Sequence, residues 1–210
     1  MTRKLATLLI ALTVLSAANA VAQDSAPRQP ALEVSLVPAG GTFFREGSDT
    51  KETSFTNYDF SGVLTLNLNR YFGVEAEVGT SRGIRQNLTL AGGRQDLNSP
   101  NLLHHTANLV VYTPLGRTLA PFIIAGVGGV TIFDRAELFI PETRTYLSGN
   151  VGGGLKWYGG RWGVRADYRF LIVRSEPFVP DPSVRARAPF FGRETRYGHR
   201  IFGGVILKLA

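Results

Sequence analysis

Apolar residues occupy every second position in segment after segment of this 210-residue chain, and no helical repeat of apolar residues is sustained anywhere. In residues 162–172 the alternate positions are Trp, Val, Ala, Tyr, Phe and Ile, while Arg165, Asp167 and Arg169 lie between them. Successive side chains of a β-strand point to opposite faces, so each such segment predicts a strand with one apolar and one polar face. We predict eight strands, near residues 31–41, 56–69, 71–82, 102–113, 119–132, 145–158, 162–174 and 196–209.

The connections between these strands alternate between short and long. Turns are expected at residues 69–70, 113–117 and 159–161, and long polar segments at 42–55, 81–101, 133–144 and 175–195. In an antiparallel arrangement this puts every long connection at one end, as in bacterial outer-membrane barrels, whose long loops are extracellular and whose short turns are periplasmic. The predicted fold is therefore all-β: an eight-stranded antiparallel up-and-down transmembrane β-barrel with periplasmic termini and extracellular long loops.

The first 22 residues have the pattern of a secretory signal peptide. Arg3 and Lys4 form a basic start, an apolar run follows, and small residues then permit cleavage after Ala20 or after Ala22. We expect residues 23–30 to be a flexible lead-in and residues 31–210 to form one exported barrel domain. The chain contains no Cys, which excludes disulfides and thiol chemistry, and no later segment reaches the ~20 apolar residues of a spanning helix.

Alternation alone does not say which face of a barrel is inside, so a soluble exported barrel of the lipocalin or avidin type is the alternative fold. Long connections at a single end and small residues on the polar face favour the membrane barrel. Aromatic residues agree, because membrane barrels carry an aromatic girdle at each interface. The expected girdle residues are Tyr71, Phe72, Tyr112, Trp157, Tyr158 and Trp162 at the turn end, and Phe43, Phe44, Tyr58, Phe60, Phe133, Tyr146 and Tyr197 at the loop end.

Several segments together resemble the OmpA-like outer-membrane β-barrel family. They are the leader, the glycine-rich residues 123–129 and 152–157, the alternating strand 162–170 and the closing residues 203–209. The resemblance covers essentially all of the mature chain and concerns the barrel domain only, without a peptidoglycan-binding domain. It implies residence in the bacterial outer membrane and contact with the barrel-insertion machinery during biogenesis. Members usually end in an aromatic residue that this machinery reads, whereas this chain ends in Ala210.

Charged residues fall on the polar face of several strands and would share the inside of the barrel. Counting Lys208, they are four acids and five bases, which is close to charge balance. Buried charges are tolerated only when they are paired or hydrogen-bonded, so we predict an ion-pair network that plugs the lumen. Eight strands enclose a space that side chains just fill, so the protein should not act as a general porin. The predicted network residues are Glu33, Glu75, Glu77, Lys156, Arg165, Asp167, Arg169 and Arg200.

A catalytic interpretation of the polar residues has weaker support in the sequence. Glu75 and Glu77 share a face, as a general acid and base would. Ser61 or Ser148 could join one of them and a histidine in a triad of the kind found in lipid-modifying barrels, but no local spacing marks such a site. His104 and His105 are adjacent, so their side chains point to opposite faces of a strand and cannot bind one metal ion together. We therefore expect His104 to be a polar interior residue. We therefore expect no enzymatic activity, no cofactor and no metal.

The last long loop carries an excess of basic residues, which could contact the phosphates of lipopolysaccharide or could simply be solvated. These residues are Arg174, Arg185, Arg187, Arg193 and Arg196, of which Arg185, Arg187 and Arg193 form the predicted contact. The sequence thus favours a structural or surface-interaction protein whose partners are outer-membrane lipids and the insertion machinery, with no role in nucleic-acid binding. The alternatives are a conduit or carrier for small or apolar molecules, and a lipid-modifying barrel enzyme. The loop ligand, any transported molecule and the oligomeric state stay open.

Overall fold

In the part of the chain that the structure describes, a computed structural model, there are ten β-strands. The structure describes residues 31–45, 54–90, 93–113, 115, 118–135, 138, 140, 142–174 and 195–209, so the predicted signal peptide, the lead-in and Ala210 lie outside it. No helix within these ranges is long and apolar enough to span a membrane. The strands are β1 (Leu32–Phe44), β2 (Phe55–Asn67), β3 (Phe72–Gly83), β4 (Arg85–Leu90), β5 (Gly93–Asn98), β6 (Leu102–Tyr112), β7 (Leu119–Ile132), β8 (Arg144–Gly159), β9 (Trp162–Arg174) and β10 (Arg196–Lys208).

Eight of these strands close into one antiparallel barrel, in the order β1-β10-β9-β8-β7-β6-β3-β2. Closure occurs where β1 pairs with both β2 and β10, for example Val34 with Leu64 and with Leu207. Each of the other barrel strands pairs with its neighbours in the chain once the β4–β5 hairpin is set aside. The predicted eight-stranded up-and-down barrel is therefore confirmed, with strand ends within a few residues of those expected.

The faces of the barrel also settle which side is inside. Large apolar side chains point outward and are highly exposed, as Ile123 (65%) and Trp162 (58%) illustrate, whereas Glu33 and Arg169 point inward and are 0% exposed. A soluble barrel would have the opposite arrangement, because its exposed face must be polar. The lipocalin-like alternative is therefore wrong, and the apolar belt fits a barrel that faces lipid.

Strands β4 and β5 form a hairpin inside the segment that was expected to be a long irregular loop. They pair with each other only and take no part in the barrel. Gln86 Nε2 donates a hydrogen bond to the backbone oxygen of Thr56 in β2 (2.7 Å), and Ser99 Oγ donates one to Asn57 Oδ1 (2.6 Å). These contacts attach the hairpin to the loop end of the barrel wall.

Two local backbone features shape the barrel: a glycine turn that reverses the chain between β8 and β9, and a bulge that changes which residues of β1 face the lumen. In the turn between β8 and β9, Gly160 has a φ of +64°, a conformation that favours glycine. In β1 the register shifts by one residue between Leu36 and Ala39, which is a β-bulge. Before the bulge the odd-numbered residues of β1 point inward, and after it the even-numbered ones do, so both Val37 and Thr42 face the lumen.

Candidate functional site in the lumen

The lumen has three layers along the barrel axis, and apolar residues enclose its charged middle. At the loop end lies the apolar cap, which consists of Phe44, Phe55, Leu88, Leu102, Val130, Ile132, Leu138, Ile140, Leu171 and Val173. At the turn end lies a second cluster of Val110, Tyr112, Ala120, Phe122, Ile124, Tyr158 and Ile206. Between them lies the central charge network, which consists of Asp59, Glu75, Glu77, His104, Arg165, Asp167, Arg169 and Arg200.

Arg165 of β9 pairs with two carboxylates at once. Its Nε and Nη2 donate to Asp167 at 2.8 and 2.7 Å, and its Nη1 donates to Glu75 Oε2 at 3.0 Å. The bond to Asp167 is bidentate, the geometry in which the guanidinium fork matches a carboxylate best. Because Glu75 belongs to β3, this arginine connects opposite walls of the barrel, since three strands lie between β9 and β3 in either direction.

Arg169 makes a second connection across the lumen. Its Nη1 donates to Glu77 Oε2 and its Nη2 to Glu75 Oε1, both at 2.7 Å, and Nη2 also lies 3.3 Å from Asp167 Oδ1. Asp167 and Glu75 are therefore shared between Arg165 and Arg169. The sharing makes one continuous array of charges rather than separate pairs.

Arg200 of β10 extends the array toward the loop end. It donates to Glu77 Oε1 (2.8 Å) and to Asp59 Oδ2 (3.0 Å), and Thr42 Oγ1 donates to the same Asp59 oxygen at 2.5 Å. His104 Nε2 lies 3.3 Å from Glu77 Oε1, so the expectation of an interior His104 is met. The sequence interpretation missed Asp59, although this residue is in phase with Ser61 on the polar face of β2.

Glu33 and Lys156 form a separate ion pair nearer the turn end. Lys156 Nζ lies 2.8 Å from Glu33 Oε2 and 3.0 Å from Tyr112 Oη, and Tyr158 Oη donates to Glu33 Oε1 at 2.7 Å. Lys208, which was expected inside as well, lies at the edge of this layer with Nζ 4.5 Å from the centroid of the Tyr158 ring. The structure thus places all eight predicted network residues in the lumen and distributes them over two groups.

Some residues occupy other positions than the sequence interpretation gave them. Tyr112, Tyr158 and Phe44 are buried in the lumen rather than exposed in the aromatic girdles, because each stands in the inward phase of its strand. Arg196 is not a loop residue: it begins β10 and is buried, with its guanidinium 5.4 and 5.3 Å from the ring centroids of Phe44 and Phe55. The predicted lipopolysaccharide-contacting residues Arg185, Arg187 and Arg193 lie outside the described residues.

Glycines make room for neighbouring side chains that point into the lumen. A Cβ atom on Gly79 would lie 2.4 Å from both His104 Nε2 and Ser61 Cβ, so a side chain at this position would displace His104. A Cβ atom on Gly126 would lie 2.1 Å from Asn108 Oδ1, which accepts a hydrogen bond from Asn150 Nδ2 at 2.8 Å. The glycine-rich segments therefore relieve crowding, as expected for a small barrel.

The residues considered for catalysis are not arranged as a triad. Ser61 Oγ is buried without a hydrogen-bond partner in the structure, and Glu75 and Glu77 are both engaged by arginines. The cavity lined by His104 and Ser148 has a volume of about 10 Å³, which accommodates about one water molecule. No group of three or more potential metal-ligating residues occurs in the part of the chain that the structure describes. In this arrangement the arginines neutralise the buried carboxylates, and side chains fill the space around them.

Comparison with known proteins agrees with this architecture. Residues 7–187 match the family described as outer membrane protein beta-barrel domain, whereas no curated protein matches the sequence. Neisserial surface protein A is similar in structure, with a TM-score of 0.56 at 11% identity over 85% of this chain and 97% of that one. The N-terminal barrel domain of Pseudomonas aeruginosa OprF gives a TM-score of 0.48 at 14% identity, over 86% of this chain and 99% of that one. The attachment invasion locus protein Ail of Yersinia pestis gives a TM-score of 0.46 at 12% identity, over 85% of this chain and 100% of that one.

Proposed function

Because the chain belongs to the outer membrane protein beta-barrel domain family, we propose that it is a closed barrel with a structural or surface-interaction role in the bacterial outer membrane. One observation carries this proposal: arginines of β9 bond carboxylates of β3 across the full width of the lumen. A passage for solutes would need this space. The side chains of Arg165, Arg169, Glu75 and Glu77 occupy it instead, and each is nearly or completely buried.

The width of the barrel supports the same conclusion. Eight strands enclose an interior just wide enough for side chains, whereas general porins use roughly 16 to 18 strands. The apolar cap adds a second obstruction at the loop end, where Leu88 of the hairpin and Leu138 and Ile140 of the β7–β8 connection are buried. The apolar residues that close the lumen thus come from outside the barrel strands as well as from within them.

The orientation and the partners are part of the proposal. Short turns face the periplasm in barrels of this family, which would place both termini there and the long loops outside the cell. Arg174 at the exposed end of β9, together with Arg185, Arg187 and Arg193, would then face the phosphate groups of lipopolysaccharide. Outer-membrane lipids and the barrel-insertion machinery are the other proposed partners.

We further propose that the protein is not an enzyme. The acidic residues that a triad or an acid–base pair would need are held by arginine, and the cavity beside His104 holds about one water molecule. A catalytic carboxylate must reach its substrate, and these carboxylates are buried beneath the apolar cap.

Conductance of the purified protein in planar bilayers tests the closed barrel. The unaltered protein should show little or no steady conductance, because the charge network fills the lumen. Arg165→Ala removes a guanidinium that crosses this space and should produce intermittent openings. Large and stable conductance from the unaltered protein would disprove the proposal and would favour a conduit for small molecules.

A further inference from the structure

A cluster of rings lies on the outer wall of β9 and β10, toward the loop end. We call Tyr168, Phe170, Tyr197 and His199 the ring cluster; their side chains point outward, in phase with exposed residues such as Trp162. His199 and Phe170 are direct partners in the β9–β10 register, and their ring centroids are 5.4 Å apart in an edge-to-face arrangement. Phe170 also stacks on Tyr197 at 5.6 Å, with 16° between the ring planes. The rings therefore hold one another in place.

A hydrogen bond sets the orientation of the His199 ring. Its Nδ1 lies 2.8 Å from Tyr168 Oη, and the two ring centroids are 6.0 Å apart. The other ring nitrogen, Nε2, has no hydrogen-bond partner among the residues that the structure describes. The register partners of His199 on its two flanking strands are Phe43 and Phe170. The barrel wall thus presents one unpaired imidazole nitrogen between two apolar rings.

The height of His199 follows from its position along the strands. A strand rises about 3.3 Å per residue, so with a tilt of roughly 40° each residue gains about 2.5 Å along the barrel axis. Interfacial tryptophans mark the edge of the apolar band, which is about 25 Å tall. Phe170, the register partner of His199, follows the exposed turn-end Trp162 by eight residues, so His199 lies about 20 Å above Trp162. The imidazole is therefore about 5 Å inside the loop-end edge of the band.

An imidazole nitrogen at this height needs a partner, because unsatisfied polar groups are costly in the hydrocarbon region. Water is scarce there, so the partner is a polar group of a lipid. Nε2 donates or accepts a hydrogen bond according to which ring nitrogen carries the proton. A hydroxyl group can both donate and accept, whereas an ester carbonyl can only accept. A hydroxyl on an acyl chain, just below the headgroup, therefore satisfies His199 in either tautomer.

We propose that His199 binds the hydroxyl of a 3-hydroxyacyl chain of lipid A, the lipid part of lipopolysaccharide, and that Tyr168 positions the imidazole for this contact. A 3-hydroxyl is close to the sugar headgroup, which agrees with a height just inside the apolar band. Phe170 and Tyr197 supply an apolar surface for the acyl chain. Arg174, four residues beyond Phe170 on the same face, lies at the height of the sugar phosphates. The choice of lipid A rests on the proposed function, whose orientation places the loop end in the outer leaflet.

Other occupants fit the ring cluster less well. Stable protein–protein interfaces bury roughly 800 Å² on each side, whereas the ring cluster consists of four side chains. A glycerophospholipid would reach the same height, but its ester carbonyls satisfy only one tautomer of His199. The experiment therefore has to isolate the contribution of the acyl hydroxyl.

The test measures lipid retained by the purified full-length protein in detergent, using native mass spectrometry. The two probes are a diacyl glucosamine phosphate whose acyl chains carry 3-hydroxyl groups and the same compound with unsubstituted chains, offered in equal amounts. The unaltered protein should retain the hydroxylated probe about fivefold better, since one added hydrogen bond is worth about 1 kcal/mol. His199→Phe keeps a ring but loses both nitrogens, so it should retain the two probes equally. Tyr168→Phe keeps its ring but releases the imidazole, so the preference should fall to about twofold.

His105→Phe is the matched control, because His105 also points outward but lies on β6, with three strands between β6 and β10 in either direction. Its register partners are Val78 and Gly129 rather than aromatic residues. This variant should keep the preference of the unaltered protein. Heat-modifiable gel migration shows which variants are folded.

Several results would overturn the proposal: retention of neither probe or equal retention of both by the unaltered protein, an unchanged preference in folded His199→Phe or Tyr168→Phe, or its loss in folded His105→Phe. A dimer that His199→Phe disrupts would also overturn it, because the ring cluster would then join two copies of the chain. The closed lumen is tested by conductance and the orientation by protease, so failure of the lipid contact is distinguishable from failure of the proposed function.

Discussion

Each arginine of the central charge network contacts more than one carboxylate, and this decides what a single substitution does. Arg169, for example, bonds Glu75 and Glu77 on the opposite wall and Asp167 on its own strand. Its removal would leave carboxylates buried without a counterion, whereas replacing a whole buried ion-pair set by apolar residues is often neutral. We therefore expect a single truncation in the network to lower the free energy of unfolding by more than any one ion pair contributes to it.

Arg165→Ala should lower the free energy of unfolding by about 3–5 kcal/mol, because it leaves Glu75 and Asp167 with fewer partners in a buried site. Urea unfolding of the protein in lipid vesicles measures this change. Arg161→Ala is the matched control, since Arg161 lies in the exposed β8–β9 turn and should leave stability unchanged. Equal stability of the two variants would mean that the Arg165 contacts contribute nothing to the folded state.

Gly79→Ala should lower the free energy of unfolding by about 1–3 kcal/mol through overpacking, because the new Cβ would lie 2.4 Å from His104 Nε2 and Ser61 Cβ. Gly62→Ala is the control, since a Cβ at this outward-facing position would meet nothing within 4 Å. The same vesicle unfolding assay compares the two. If Gly62→Ala is as destabilising as Gly79→Ala, the effect comes from the strand backbone rather than from the crowded lumen.

The alternation that predicted the network worked where strands run without interruption. It placed Glu75, Glu77 and Arg169 correctly, because their strands keep one phase throughout. It failed for Arg196, which stands at the start of β10 and was assigned to the preceding loop. Not every contact could be derived, since the one between Glu77 and Arg200 depends on how strands far apart in the chain meet across the barrel.

At the scale of the element, the β4–β5 hairpin is the part of the fold that the sequence did not predict. Its residues are mostly polar and exposed, and Leu88 is its fully buried apolar side chain among those described, with 0% exposure. The hairpin depends on tertiary contacts such as Gln86 with the Thr56 backbone, which no local pattern encodes. The bulge in β1 is similar, because its position follows from pairing with β2 and β10.

Leu88→Ala should loosen the hairpin from the apolar cap, because truncating a buried leucine costs about 2–5 kcal/mol and Leu97, which also packs against the cap, is only partly buried. Trypsin should then cut after Arg85 and Arg94 faster than in the unaltered protein, while heat-modifiable migration of the uncut chain persists. Asn87→Ala, at an exposed position of the same strand, is the control and should cut at the original rate. Unchanged cleavage of Leu88→Ala would show that the cap does not anchor the hairpin.

At the scale of the whole molecule, the barrel inverts the usual distribution of residues. A belt of large apolar side chains faces outward and the central charge network lies inside, which is stable only where lipid surrounds the wall. The barrel could be predicted from the period of two, the strand lengths and the connection lengths, although the period alone does not say which face is inside. The three layers of the lumen could not be predicted, since inward residues such as Ile124 and Ile206 are apolar, like the residues that face lipid.

The proposed orientation predicts which end of the barrel is accessible on intact cells. Protease added outside should cut within residues 175–195, which join β9 to β10 at the loop end, and should spare residues 159–161 at the turn end. Permeabilised cells serve as the control, because there the turn at Arg161 becomes accessible as well. Cleavage at 159–161 in intact cells, with 175–195 spared, would invert the barrel in the membrane.

The central claim is that opposite walls of the barrel are bonded through the lumen, and a double-mutant cycle on Glu77 and Arg169 tests it most directly. The two residues belong to β3 and β9 and are joined at 2.7 Å. Unfolding free energies in lipid vesicles would be measured for Glu77→Gln, Arg169→Met and the double variant. The account predicts a coupling energy of about 1.5 kcal/mol or more, within the range of contacting residues in one network. Effects that add to within about 0.3–0.5 kcal/mol, as for independent distant sites, would contradict it.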